Sequence, residues 1–259
     1  MPAAQRLTAA VVTVSAILLC RTLCAQALDT TEPYGARVVD AEYYLGYGGV
    51  GLSPSERKLS HEFILGYGIG QRMSVYAGSH LSSDQKDFAT DTELLAGFIG
   101  TLLDGPRLDL DLMLEAAAAS RELGALRWAP SIEFNFDADP AMASWGAYLR
   151  AGIEGRRERG ELGKDARSWQ KRTDLGLNPG AYWRISERHE LLVEYDQTIA
   201  LGSDRSPEED TKGFALGYNL LLSGTFELIS QIHRDFPRAG NRARLGLSVG
   251  FIATHPRGE

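Results

Sequence analysis

Residues 107–115 read RLDLDLMLE, and this stretch decides the fold. Leu108, Leu110, Leu112 and Leu114 take one face, while Arg107, Asp109, Asp111 and Glu115 take the other. A period of two is the geometry of a β-strand, whose successive side chains point to opposite faces. A helix would scatter those four charges around its circumference.

The same period recurs along the chain. Leu126, Trp128, Pro130, Ile132 and Phe134 oppose Arg127, Ser131, Glu133 and Asn135. Further on, Leu191, Val193 and Tyr195 oppose Glu194 and Asp196, and Leu245, Leu247, Val249 and Phe251 oppose Arg242, Arg244 and Ser248. Twelve strands are expected, at 38–48, 58–69, 72–82, 92–103, 107–117, 126–136, 142–155, 168–185, 189–201, 212–222, 225–233 and 242–252. Most strands of soluble proteins run about 5–6 residues, whereas a membrane-spanning strand needs about 9–11.

The connections alternate in length. Tight links fall at Gly70–Gln71, Asp104–Pro106, Asp137–Pro140, Ser186–Arg188 and Ser223–Gly224, with longer polar links between them. Short turns at one rim, long loops at the other and an even strand number describe an all-β, up-and-down antiparallel transmembrane barrel. Tyr67, Phe134, Phe136, Trp145, Trp183 and Phe226 cluster by the short turns, and Trp128, Trp169 and Phe214 lie nearer the long loops. Two aromatic girdles are what the two bilayer interfaces favour.

Two features resist this pattern. Pro130 and Pro179 fall inside strands, where each removes a ladder hydrogen bond, so bulges or strand ends are expected there. The alanine-rich segment 115–127 suits a short surface helix, which would lower the count to ten strands.

The first 27 residues hold Arg6, an apolar run from Ala9 to Leu19, and Ala25-Gln26-Ala27. That layout is a cleaved signal peptide. The expected organisation is signal peptide 1–27, periplasmic segment 28–37, barrel 38–252 and C-terminal extension 253–259. Both cysteines, Cys20 and Cys24, lie in the signal, so disulfides and cysteine metal sites are not expected in the mature chain. Two of the 27 basic residues also lie there, leaving 25 against 34 acidic ones and a net charge of −9. Such a balance argues against a nucleic-acid partner, which clustered Lys and Arg would bind.

One motif invites a different fold. Gly46, Gly48 and Gly51 spell the G-x-G-x-x-G of a dinucleotide loop. That loop must open a helix, yet Gly51 is followed by LSPSERK and another alternating strand. The near-repeat LGYGIG at 65–70 places Leu65, Tyr67 and Ile69 on one face and glycines opposite. Two barrel strands explain both, so no cofactor and no metal are expected.

The inward faces collect Arg107, Arg127, Arg150, Arg172, Arg184, Arg242 and Arg244. They also collect Glu42, Asp109, Asp111, Glu115, Glu133, Glu154, Asp174, Glu194, Asp196 and Glu227. Charges of both signs on neighbouring strands form either a channel wall or a self-satisfied network filling a narrow barrel. Inward glycines Gly46, Gly48, Gly66, Gly68, Gly78 and Gly97 gather on the first four strands. They leave an open lane beside the charged strands, or they let the sheet curve.

His80-Leu81-Ser82 calls for an enzymatic test. A spacing of two puts His80 and Ser82 on one strand face, within reach as base and nucleophile. The motif resembles that of two families of outer-membrane lipid hydrolases, phospholipase A and the lipid A deacylase, whose further Asn or Glu implies Glu93 as a third member. Their serine is followed by Asn, where this chain has Ser83, and their dyad faces lipid, whereas the register here turns it inward.

RLGLSVGF at 244–251 resembles the C-terminal insertion signal of bacterial outer-membrane barrels, through Arg244, Gly246, Val249 and Phe251. Many barrels end at the aromatic; here IATHPRGE follows. The resemblance implies an outer-membrane location, a surround of lipid and lipopolysaccharide, and the barrel-assembly machinery as a partner. The hairpin YWRISERHELLVEYD at 182–196 and the overall layout resemble the meta-pathway phenol-degradation family, which implies uptake of hydrophobic compounds. A channel or transporter for small solutes is the expected function. The alternatives are the hydrolase and a structural or adhesive barrel acting through loops 49–58 and 156–167.

Overall fold

A computed structural model describes residues 33–50, 58–84, 91–119, 126–138, 144–159, 169–201, 211–236 and 244–256. They form β1 (Val38–Val50), β2 (Lys58–Gly70), β3 (Met73–Asp84), β4 (Asp91–Asp104), β5 (Leu108–Ala119) and β6 (Leu126–Asp137). The second half forms β7 (Trp145–Arg159), β8 (Trp169–Ser186), β9 (His189–Leu201), β10 (Thr211–Ser223), β11 (Phe226–Asp235) and β12 (Arg244–Pro256). Each strand pairs antiparallel with its sequence neighbours, and β1 pairs with β12 to close the barrel. The expected signal peptide and the first half of segment 28–37 lie outside the described residues.

The ten-strand alternative fails at its proposed helix. Glu115 to Ala119 pair residue by residue with Gly97 to Glu93, and Leu126 and Arg127 open β6. Alanine's helix preference is worth only tenths of a kcal/mol per residue, less than the ladder hydrogen bonds a closed sheet demands. β12 also runs past residue 252, where it was expected to end, to Pro256. Ile252 and Ala253 pair with Glu227 and Phe226, and Pro256 pairs with Val38. Those residues are needed because β1 and β11 begin level with them and would otherwise keep bare edges.

The two strand prolines interrupt a ladder on one side only. Pro130 pairs with Leu114 of β5, but the pairing with β7 skips from Trp128–Gly155 to Ser131–Gly152. Pro179 pairs with Leu149 of β7, while the pairing with β9 skips from Leu177–Gln197 to Gly180–Glu194. The register on either side of each gap is unchanged, so these are local breaks and not bulges or strand ends.

Outside, the belt is apolar. Leu94, Leu102, Ile185, Leu216 and Ile232 are exposed, as are the short-turn aromatics Tyr67, Phe134, Phe136, Trp145, Trp183 and Phe226. Phe136 meets Trp145 edge-on at 6.4 Å, and Phe226 tilts against Phe251 at 5.9 Å. Trp128 and Phe214 are exposed nearer the long loops. Inside, Asp111 and Glu133 are each only 1% exposed. Buried charge and exposed leucine invert the soluble-protein pattern, and a lipid surround accounts for the inversion.

Candidate functional site

The buried, polar side of every strand points into the barrel, so the candidate site is the lumen. Its hub is Arg127 of β6. One guanidinium reaches Glu115 at 2.7 Å, Glu93 at 3.2 Å and Glu154 at 3.8 Å, on β5, β4 and β7. Register explains the convergence: Ala117 separates Arg127 from β4, and alanine leaves the guanidinium room to reach across.

A second group lies on β5 to β9. Arg150 donates to Glu133 at 2.6 Å, the Tyr148 hydroxyl donates to Glu194 at 2.8 Å, and the Asn178 amide donates to Asp196. Asp111 accepts from the Thr101 hydroxyl at 2.6 Å and from the Asn135 amide at 3.2 Å. The low dielectric around these groups strengthens each bond, and an unmade one would be costly.

The remaining expected residues divide. Arg172 pairs with Asp174 at 2.7 Å near the long-loop rim, Arg156 with Glu154 at 2.9 Å, and Arg184 with Glu190 at 3.1 Å near the short turns. Asp109 accepts the Gly105 amide, tying down the β4–β5 turn. Arg107 is exposed in that same turn and not in β5, because the strand begins one residue later than the alternation suggested. Arg242 lies outside the described residues, and Arg244 is the first residue of β12. Gly246, Val249 and Phe251 lie within β12 as a continuous strand.

The strongest feature the sequence did not announce is the segment just before β1. Left-handed Gly35 (φ 79) and Arg37 (φ 62) turn the chain back into the barrel. The Arg37 amide bonds the Gly68 carbonyl at 2.9 Å, and the Tyr34 amide bonds the Ser74 hydroxyl at 2.7 Å. A side chain at Gly68 would run into the Gly35 carbonyl, and one at Gly66 into the Tyr34 ring. The Tyr34 hydroxyl donates to Glu42 at 3.1 Å, and Tyr44 donates to its other oxygen at 2.6 Å. Burial, with Glu42 and Asp40 beside it, pushes the Tyr34 phenol well up, so it stays a donor. Thr254 of β12 donates to Asp40 at 2.7 Å. A cavity of about 220 Å³ at this rim is lined by Pro33, Thr101, Asp104, Asp109 and Asp111, with Gln71 and Arg72.

The open lane, one of the two readings of the inward glycines, is not empty, because aromatic rings lie over two of them. Tyr76 covers Gly97 and Tyr34 covers Gly66; elsewhere Tyr148 covers Gly180, Tyr182 covers Gly146 and Tyr44 covers Gly250. In most of these the ring and the glycine are cross-strand partners, so the missing side chain is what lets the ring lie against the wall. Apolar groups share the interior: Tyr76, Leu95, Ile99 and Ala117 form one cluster, and Tyr44, Ile229 and Ile252 another. A third apolar cluster, Leu192 and Ala215 with Tyr182, lies on β8 to β10, so the ion pairs, concentrated on β4 to β9, are interleaved with apolar groups around the lumen.

His80 and Ser82 share the inward parity of β3, away from the lipid face on which acyl chains would lie. The His80 ring sits 4.0 Å from Glu62, and Glu93, its cross-strand neighbour, is bonded to Arg127. The third member of the dyad is therefore engaged elsewhere.

No protein-family model and no curated protein matches the chain. Among solved structures, the NanC porin is similar with a TM-score of 0.60 and 10% identity, over 84% of this chain and 99% of that one. The COG4313 outer membrane channel from Pseudomonas putida F1 gives 0.56 and 14%, over 91% and 100%. The KdgM porin in complex with disordered oligogalacturonate gives 0.51 and 7%, over 83% and 98%. At such identities the likeness establishes the fold alone: this chain is a closed twelve-stranded antiparallel barrel with the fold of outer-membrane β-barrel proteins.

Proposed function

We propose that the protein is an outer-membrane channel through which small solutes pass passively along the barrel interior. The carrying observation is the pairing of an apolar outer belt with an interior polar from rim to rim. It runs from Asp111 and Thr101 near the short turns to Arg172 and Asp174 near the long loops. Ion pairs interleaved with apolar clusters along the wall suit solutes with an apolar body and a polar group. This agrees with the resemblance to barrels of the meta-pathway phenol-degradation family, and the porin and channel folds of similar shape support the same reading.

In this reading residues 1–27 direct export, the short-turn rim faces the periplasm, and Arg244, Gly246, Val249 and Phe251 engage the assembly machinery. Solute-dependent swelling of proteoliposomes tests the proposal. Vesicles carrying the barrel should swell in small permeant solutes faster than empty vesicles, and equal rates would contradict it.

A further inference from the structure

The two signs of charge are not evenly distributed around the lumen. Apart from Lys58 at the outer end of β2, the inward Lys and Arg side chains described come from β6, β7 and β8 alone. One of these, Arg127, serves three carboxylates at once, two of them on β4 and β5. Among the described side chains of β1 and β12, acid meets only neutral donors. Asp40 and Glu42 adjoin each other, and their donors are the hydroxyls of Thr254, Tyr34 and Tyr44. Asp40 is 3% exposed, yet its Oδ2 has no hydrogen-bond donor. Two adjacent carboxylates with one buried oxygen left unmatched form a place that a positive group would complete.

We infer that the lumen selects positively charged organic solutes, and that Asp40 and Glu42 hold the positive group. This rests on the channel reading above for the word solute, but not for the binding itself. The surroundings discriminate between kinds of cation. Tyr44, Ile229, Ile252 and Ile64 form an apolar cluster that meets Glu42 through Tyr44 and its cross-strand partner Ile64, a wall that cannot replace the hydration shell of a small metal ion. Among the described residues no group of three His, Cys, Asp or Glu side chains is placed to hold a metal. An alkylammonium head brings its own donors to the carboxylates and lays its chain on the isoleucines. Tyr34 is the neutral occupant it would displace, since its hydroxyl holds Glu42 and its segment enters from the short-turn rim.

Three probes with one tail and different heads test this on the detergent-solubilised barrel by calorimetric titration: hexylammonium, hexanol and hexanoate. Hexylammonium should bind several-fold more tightly than hexanol, with hexanoate weakest. Equal affinities, or a preference for hexanoate, overturn the inference without any variant being made. Asp40→Asn with Glu42→Gln should abolish the advantage of hexylammonium while leaving hexanol unchanged. An advantage that survives in a correctly folded double variant also overturns it. Reversal potentials in a potassium chloride gradient separate the two readings. A barrel that conducts without cation preference removes this inference and keeps the channel; a silent barrel that binds hexylammonium removes the channel and keeps the site.

Discussion

The hydroxyl of Tyr76 donates to Glu115 at 2.9 Å while its ring lies against Gly97, on the strand between them. One side chain on β3 thus reaches β5 by crossing a residue that has no side chain of its own. The carboxylate it meets also takes a bond from Arg127, so the ring, the glycine and the guanidinium are parts of one network.

Gly97→Ala should therefore behave as an overpacking change. The new methyl group would fall inside the Tyr76 ring, which must leave the wall and give up Glu115. A loss of about 1–3 kcal/mol is expected, read as a lower unfolding midpoint in detergent. In the Tyr76→Ala background the same change should cost little, because nothing then occupies the space. Equal penalties in both backgrounds would contradict the arrangement.

Arg127→Ala leaves Glu93, Glu115 and Glu154 facing one another with their shared cation gone. Breaking an ion pair this little exposed costs about 3 kcal/mol. The defect should shrink as the buffer is acidified, since protonating the carboxylates removes their repulsion. Denaturant titrations at neutral and acidic pH check the sign; a defect that grows on acidification would contradict it.

How far the sequence carries depends on which face is asked about. The outer face was legible because lipid imposes one requirement on every residue there, and RLDLDLMLE states it four times in nine residues. Strand limits were legible to within a few residues, since each turn breaks the alternation. The interior was half legible. Charges such as Arg127 and Glu115 were placed on the right side, but alternation cannot say which charge meets which, because that follows from strand stagger. The apolar interior was missed, although adjacent apolar pairs signal it. Leu94-Leu95, Phe98-Ile99, Leu191-Leu192 and Phe251-Ile252 each put one member out and one in. Tyr34 carried no signal at all, because its position depends on two left-handed residues before the first strand.

Tyr34→Ala should widen the passage at the short-turn rim. The ring packs on Gly66 and its hydroxyl spans to Glu42, so its removal opens space beside β1 and β2. Single-channel conductance should rise relative to the native protein. An unchanged or smaller conductance would show that the segment does not line the path.

Ser82→Ala tests the enzymatic alternative. With His80 and Ser82 turned inward and Glu93 held by Arg127, no release of fatty acid from phospholipid or lipid A vesicles is expected from either the native protein or the variant. Fatty acid release that disappears in Ser82→Ala would restore the hydrolase.

The most direct test of the central claim is the current carried by single barrels in a planar bilayer. Protein shown to be folded by its altered gel migration before heating should insert with discrete, repeated conductance steps. Those steps should be larger in Tyr34→Ala. Repeated insertions of folded barrels that carry no current, in the native protein and the variant alike, would contradict a channel.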